Sequence, residues 1–180
     1  KLVIEKFYDN SSAGFFDVER NEKDILLKTK DTYDGAEPSG NSIQVGNLLK
    51  LGYMTDDQDL SDKADRCLNI FSEDLRRLPF SSPQMLCDLS FLLNTPKEII
   101  ISGNKDTDEF KKLNEVICKE YIPNSVKLHA AEELGKISPF IENITGKKNE
   151  SNKAEVFVCE NYKCELPVND PEVLKEKLTK

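Results

Sequence analysis

The chain has 180 residues, 38% of them hydrophobic and 32% charged, with 25 basic against 33 acidic side chains and a formal net charge of −8. That length suits one domain or two small ones, at roughly 100–200 residues per domain, and the composition is that of a chain with a packed core. Every apolar run falls far short of the ~20 residues a membrane helix needs, and no basic stripe supplies the electrostatic footprint of a nucleic-acid binder.

The chain starts at Lys1 rather than Met and shows no positively charged start followed by an apolar stretch and a small-residue cleavage site, so it reads as a piece of a longer or processed protein. Five cysteines, Cys67, Cys87, Cys118, Cys159 and Cys164, are an odd number and argue against a full disulfide framework. Cys67 and Cys87 fall on apolar helix faces, where a thiol acts as a small hydrophobe. This favours a reducing, cytoplasmic setting. Asn10-Ser11-Ser12, Asn143-Ile144-Thr145 and Asn149-Glu150-Ser151 match the glycosylation acceptor pattern and leave a secreted protein as the alternative.

In chain order, residues 1–10 read as the tail of a helix with Leu2, Ile4 and Phe7 among charges. Phe15 to Val18 and Ile25 to Leu27, separated by a very polar stretch, predict a short hairpin near 15–28. A first helix starts near Ser39 to Ser42 and carries Val45, Leu48 and Leu49 on one face. A second has the clearest period in the chain, Leu60, Ala64, Cys67, Leu68, Phe71, Leu75 and Leu78, with Asp56 or Asp57 as its cap. A third opens with Ser82 as its cap and Pro83 at the first helical position, and buries Met85, Leu86, Leu89, Leu92 and Leu93.

At Pro96 the character changes. Ile99-Ile100-Ile101 is β-branched and apolar throughout, which suits a strand covered on both faces. A helix with the stripe Phe110, Leu113, Ile117 and Tyr121 follows, and Val126 to Ala130 reads as a second strand, so residues 97–130 predict a right-handed βαβ unit. Glu155 to Cys159 is a third strand, and Asp170-Pro171 starts a last helix.

The run Tyr33-Asp34-Gly35-Ala36-Glu37-Pro38-Ser39-Gly40-Asn41-Ser42 stands apart. Glycine and proline set its backbone path, while Asp34, Glu37 and Asn41 bring polar groups that need a ligand, a helix cap or solvent. Either it binds something or it caps something. Cys159 and Cys164 form a Cys-x4-Cys pair that offers a local disulfide, a reactive thiol or a turn with one buried thiol; a structural zinc needs about four ligands, and the tail supplies few. Gly-x-Gly-x-x-Gly is missing after the strand at 99–101, and no cofactor is assigned.

Four motifs in order, Gly14-Phe15-Phe16-Asp17, the Tyr33–Ser42 run, Pro96-Lys97-Glu98-Ile99 and Val158-Cys159-Glu160-Asn161-Tyr162-Lys163-Cys164, resemble the C-terminal end of the spermatogenesis-associated protein 20 family, whose bacterial members are described as thioredoxin-domain proteins similar to N-acylglucosamine 2-epimerase. The resemblance implies a thioredoxin-like domain, an (α/α)6 six-hairpin glycosidase-like toroid and a short α/β tail. Residues 1–95 would then hold the last toroid helices and 96–180 the tail, a mixed α and α/β chain with about three strands. The absent N-terminal part of the parent would be its partner, and a small carbohydrate its implied ligand.

By the same resemblance the loop lies at the mouth of the toroid, and Asp17, Tyr33, Asp34, Glu37 and Asn41 are the candidate ligand-binding residues. Convergence of these five on one concave surface would favour a ligand; Asp34 and Asn41 spent on backbone amides would favour a structural loop. Two carboxylates can act as general acid and base across a bond, but three-residue spacing in a loop does not establish that placement. The chain has one histidine, His129, and none of its residues matches the epimerases' barrel histidines or a Cys-x-x-Cys. Cys159 and Cys164 are the redox candidates. No catalytic or metal residue is assigned. The implied role is carbohydrate binding or modification by the whole protein, with this portion inactive alone; the alternative is a non-catalytic scaffold or protein-interaction module.

Overall fold

A computed structural model describes residues 1–146, 153–160 and 163–179. The glycosylation pattern at 149–151 and the Asn161-Tyr162 part of the fourth motif lie outside the described residues. The chain forms two compact units, Lys1–Tyr53 with Asp57–Leu92, and Leu93–Lys180 with Met54–Asp56.

The first unit is helical. It contains α1 (Leu2–Phe7), α2 (Gly40–Thr55), α3 (Gln58–Ile70), α4 (Ser72–Arg77), a 3-10 turn at Pro79–Ser81 and α5 (Pro83–Leu93). Asp57 caps α3 by accepting from Asp59 N at 3.1 Å and Leu60 N at 3.4 Å, satisfying donors that the helix start leaves without partners. The long amphipathic stripe at 60–78 is broken at Phe71, where the backbone leaves helical geometry (φ −94°, ψ 2°) before α4 begins. Val45, Leu49, Ala64, Cys67 and Met85 are fully buried.

The hairpin expected near 15–28 does not form. Phe15 makes an isolated antiparallel bridge to Tyr8, Asp17 N bonds Thr29 O at 3.0 Å, and Ile25, Leu26 and Leu27 are exposed. Three apolar residues bounded by charges bury too little surface, without an apolar partner strand, to order a two-stranded ribbon.

The second unit is a mixed sheet with helices. Its elements are β1 (Lys97–Ser102), α6 (Asp108–Lys119), β2 (Ser125–His129), α7 (Glu132–Gly135), α8 (Pro139–Gly146), β3 (Glu155–Glu160), β4 (Lys163–Cys164) and α9 (Pro171–Leu178). The strand order is β2-β1-β3-β4. β1 and β2 run parallel, with Ile99 opposite Lys127 and Ile101 opposite His129, while β3 is antiparallel to β1. The apolar triple at 99–101 is therefore central and covered on both sides, as its continuous hydrophobicity requires.

One sheet face, carrying Ile99, Ile101, Val156 and Val158, packs on Phe110, Leu113 and Ile117 of α6 and Leu174 and Leu178 of α9. α6 ends at Lys119, two residues before Tyr121, which lies outside the helix and is exposed instead of completing the buried stripe. Asp170 caps α9 through Glu172 N and Val173 N.

Candidate functional site

The loop 33–42 is a knot of short-range turns tied to distant backbone. Asp34 N donates to Ser81 O at 2.6 Å, and its carboxylate is divided between two amides: Oδ1 accepts from Ser39 N and Oδ2 from Gln84 N, each at 2.8 Å. The second contact caps the start of α5, a task Asp34 performs from 50 residues away. Ser82, the cap residue expected from sequence, turns its hydroxyl instead to Thr32 O at 2.7 Å. Ser39 precedes α2 and caps it, its Oγ accepting from Ser42 N at 3.1 Å.

Asn41 lies inside α2 and is 1% exposed. Its Oδ1 accepts from Phe15 N at 2.7 Å, and its Nδ2 donates to Phe15 O and Asp31 O, both at 2.9 Å. One amide side chain thus serves both polar groups of Phe15, as an adjacent strand would. Asp17 accepts from Thr29 Oγ1 at 2.7 Å and Asp31 N at 3.4 Å, holding the two sides of the 17–31 loop together. Tyr33 is 63% exposed, its backbone N donating to Asp31 Oδ1 at 2.9 Å. Glu37 is exposed and has no hydrogen bond among the described residues.

Of the five candidates, Asp34 and Asn41 are buried braces, Asp17 pins a loop, and Tyr33 and Glu37 are left facing solvent. Around the same turn, Lys30 pairs with Asp9 at 2.7 Å. Partial burial would raise the Asp9 carboxyl, but Lys30 and the Ser11 and Ser12 donors outweigh it and hold it well below the carboxylate range.

Sequence reasoning missed Asp88. This carboxylate sits on the apolar side of α5, 3% exposed, and both oxygens accept from Gln84 Nε2 at 3.3 Å. Burial pushes it up to about 6; Gln84, Lys50 and a Gly46 backbone bond oppose that, and the Asp34 charge adds to it. Gly46 of α2 makes room for it: a Cβ there would stand 2.5 Å from Asp88 Oδ1. The available signal was a carboxylate three residues after Met85 within an apolar stripe. Asp34, Gln84 and Asp88 form a linked polar cluster in which one residue, Gln84, contacts both carboxylates through its backbone and side chain.

In the second unit, Cys159 and Cys164 are joined by a disulfide between opposed residues of β3 and β4. Cys67, Cys87 and Cys118 are free. Among the described residues no group of three or more His, Cys, Asp or Glu side chains could hold a metal ion, and no helix is long and apolar enough to cross a membrane. His129, at the end of β2, is fixed by Gly103 O at 3.2 Å from Nε2 and by an edge-on Phe110 ring with centroids 5.0 Å apart.

Comparison with known proteins adds ancestry to this geometry. The chain is 36% identical to spermatogenesis-associated protein 20 of Rattus norvegicus over 177 residues, covering 96% of this chain and 22% of that protein. The Homo sapiens protein of the same name is 35% identical over 96% of this chain and 22% of that protein. An uncharacterized protein of Caenorhabditis elegans is 26% identical over 100% of this chain and 24% of that protein. No family model matches, and no solved structure matches. By sequence the chain is a relative of spermatogenesis-associated protein 20, matched along nearly all of its own length and spanning a little over a fifth of the rat and human proteins.

Proposed function

We propose that this chain acts in a longer protein as a non-catalytic structural segment, closing a helical toroid and carrying an α/β tail, with loop 33–42 as a brace. One observation carries the reading: both carboxylate oxygens of Asp34 and all the polar atoms of Asn41 are spent on the chain's own backbone. Asp34 and Asn41 are buried and aimed at the chain's own backbone, so a substrate would reach them only by disrupting buried hydrogen bonds. The chemistry of the whole protein then rests on residues outside these 180.

A second reading is favoured by the exposure of Tyr33 and Glu37 on that braced loop. In the whole protein they would form one wall of a carbohydrate site, the tyrosine ring stacking on a sugar and the carboxylate accepting from its hydroxyls, on a loop made rigid by its buried neighbours. A thermal-shift screen of the longer protein against mono- and disaccharides separates the two. The structural reading expects no sugar to raise Tm; a rise that Tyr33→Ala or Glu37→Ala abolishes would replace it with the second. The free thiols fit a reducing cytoplasm, in which Cys159–Cys164 is the bond open to reduction.

A further inference from the structure

We propose that the groove between β2 and α6 binds a small organic carboxylate with an apolar body, its acid group held at the Lys105 and His129 end. The cavity has a volume of about 300 Å³, the lower end of the range for small-molecule sites. Because Lys127 stands opposite Ile99 and His129 opposite Ile101, these polar side chains share the sheet face that α6 covers over β1 and β3. β2 is an edge strand of the sheet, so α6 forms one wall of the opening and the β2 side chains form the other.

The floor and inner wall are apolar, built from Ile99, Ile101, Phe110 and Ile117. The polar lining consists of Lys105, Asn114, Lys127 and His129, with no carboxylate among its described members. In a chain of net charge −8, a lining that holds two lysines and no described carboxylate favours an anion.

The two ends differ. Lys127 Nζ donates to Ile117 O at 2.5 Å, so it is committed to the last turn of α6. Lys105 is exposed and carries no hydrogen bond or ion pair among the described residues. His129 spends Nε2 on Gly103 O, so the ammonium of Lys105 is the group left to meet the acid. Both groups stand at the carboxyl ends of the parallel strands, where α/β sheets commonly receive ligands. A carboxylate there would leave an apolar tail against the apolar part of the lining. The site is contained within residues 97–129, so it stands or falls independently of the loop in the first unit.

The test is an amide NMR titration of the full 180-residue chain with 3-phenylpropionate, with 3-phenylpropan-1-ol as the uncharged comparison. Saturable shifts are expected at Ile101, Phe110, Asn114 and His129, with the acid bound more tightly than the alcohol. Lys105→Ala should weaken the acid by about threefold to fivefold, the scale of one partly exposed ion pair, and leave the alcohol unchanged. Lys112→Ala, an exposed lysine of α6 outside the lining, should change neither. Unchanged amide dispersion in both variants verifies folding. Equal affinity for acid and alcohol, an unaltered titration in Lys105→Ala, or no saturable shift at these amides would overturn the proposal.

Discussion

Asp34 Oδ2 accepts the backbone N–H of Gln84 at 2.8 Å, so the first turn of α5 is capped by a residue from another loop while the local serine serves elsewhere. The other oxygen closes its own loop on Ser39. Removing this carboxylate strands two amides, one of them buried. Asp34→Ala is expected to cost about 2–3 kcal/mol, a lost cap plus an unsatisfied donor, and Asp34→Asn, which keeps one acceptor, about half of that. Urea unfolding monitored by circular dichroism measures both, and equal effects would contradict the two-amide account.

Asn41 makes a sharper demand on side-chain chemistry, because it must donate and accept at once. Asn41→Asp keeps the acceptor for Phe15 N but sets a carboxylate oxygen against the carbonyls of Phe15 and Asp31. The expected order of stability is wild type, then Asn41→Ala, then Asn41→Asp, with the last at least about 3 kcal/mol below wild type at neutral pH, as for a buried charge without a partner. A milder effect for the aspartate than for the alanine would show that the amide donor matters little.

Gly46 tests the packing beside Asp88. In an exposed helix interior, Gly→Ala gains about 1 kcal/mol, but here the new Cβ would meet Asp88 Cγ at 2.9 Å and Oδ1 at 2.5 Å. Gly46→Ala should therefore destabilise by about 1–3 kcal/mol. Adding Asp88→Ala removes the obstruction, and the double variant should be more stable than the sum of the singles predicts. Additive effects in that cycle would mean that the two sites do not meet.

Stability should fall as pH rises from about 4 to about 7. Burial pushes Asp88 up to about 6, and burial with the Asp56 charge pushes Glu98 up to about 7. A carboxyl raised in the folded state holds a proton that the unfolded chain has released. Its contribution is full below about pH 4 and is lost as pH rises through the folded values. Each group contributes roughly 1–3 kcal/mol to that slope, and Asp88→Asn and Glu98→Gln should each flatten it. Asp9, held low, acts in the opposite direction only in acid. The urea midpoint against pH decides the matter, and a midpoint that climbs over this interval would reverse the assignment.

The Cys159–Cys164 bond closes a loop with a sequence separation of 5. Short loops remove little chain entropy from the unfolded state, so reduction should cost at most about 2 kcal/mol and leave the sheet intact at β1, β2 and β3. Hydrogen exchange before and after dithiothreitol should speed at Glu165, whose N–H bonds Val158 O, and not at Ile100. Global unfolding on reduction would contradict this.

Local signals were enough for much of this protein. Asp57 and Asp170 before their helices, the β-branched triple at 99–101 and the Phe110, Leu113, Ile117 spacing each determine structure within one or two turns of chain, where the interacting groups are near neighbours in sequence. The polar run 33–42 was legible as a shaped loop for the same reason. What each of its side chains touches was not. Asn41 meets Phe15 at a separation of 26 residues and Asp34 meets Gln84 at 50, contacts that exist only once the chain path brings distant backbone amides within bonding distance. The same holds for Ile25 to Leu27, apolar but exposed, and for Asp88, tolerated on an apolar face because Gly46 lacks a Cβ. The sequence by itself determined where polar chemistry is concentrated. The tertiary structure decided that Asp34 and Asn41 hold the fold while Tyr33 and Glu37 face solvent, because burial and long-range partners select which groups remain free.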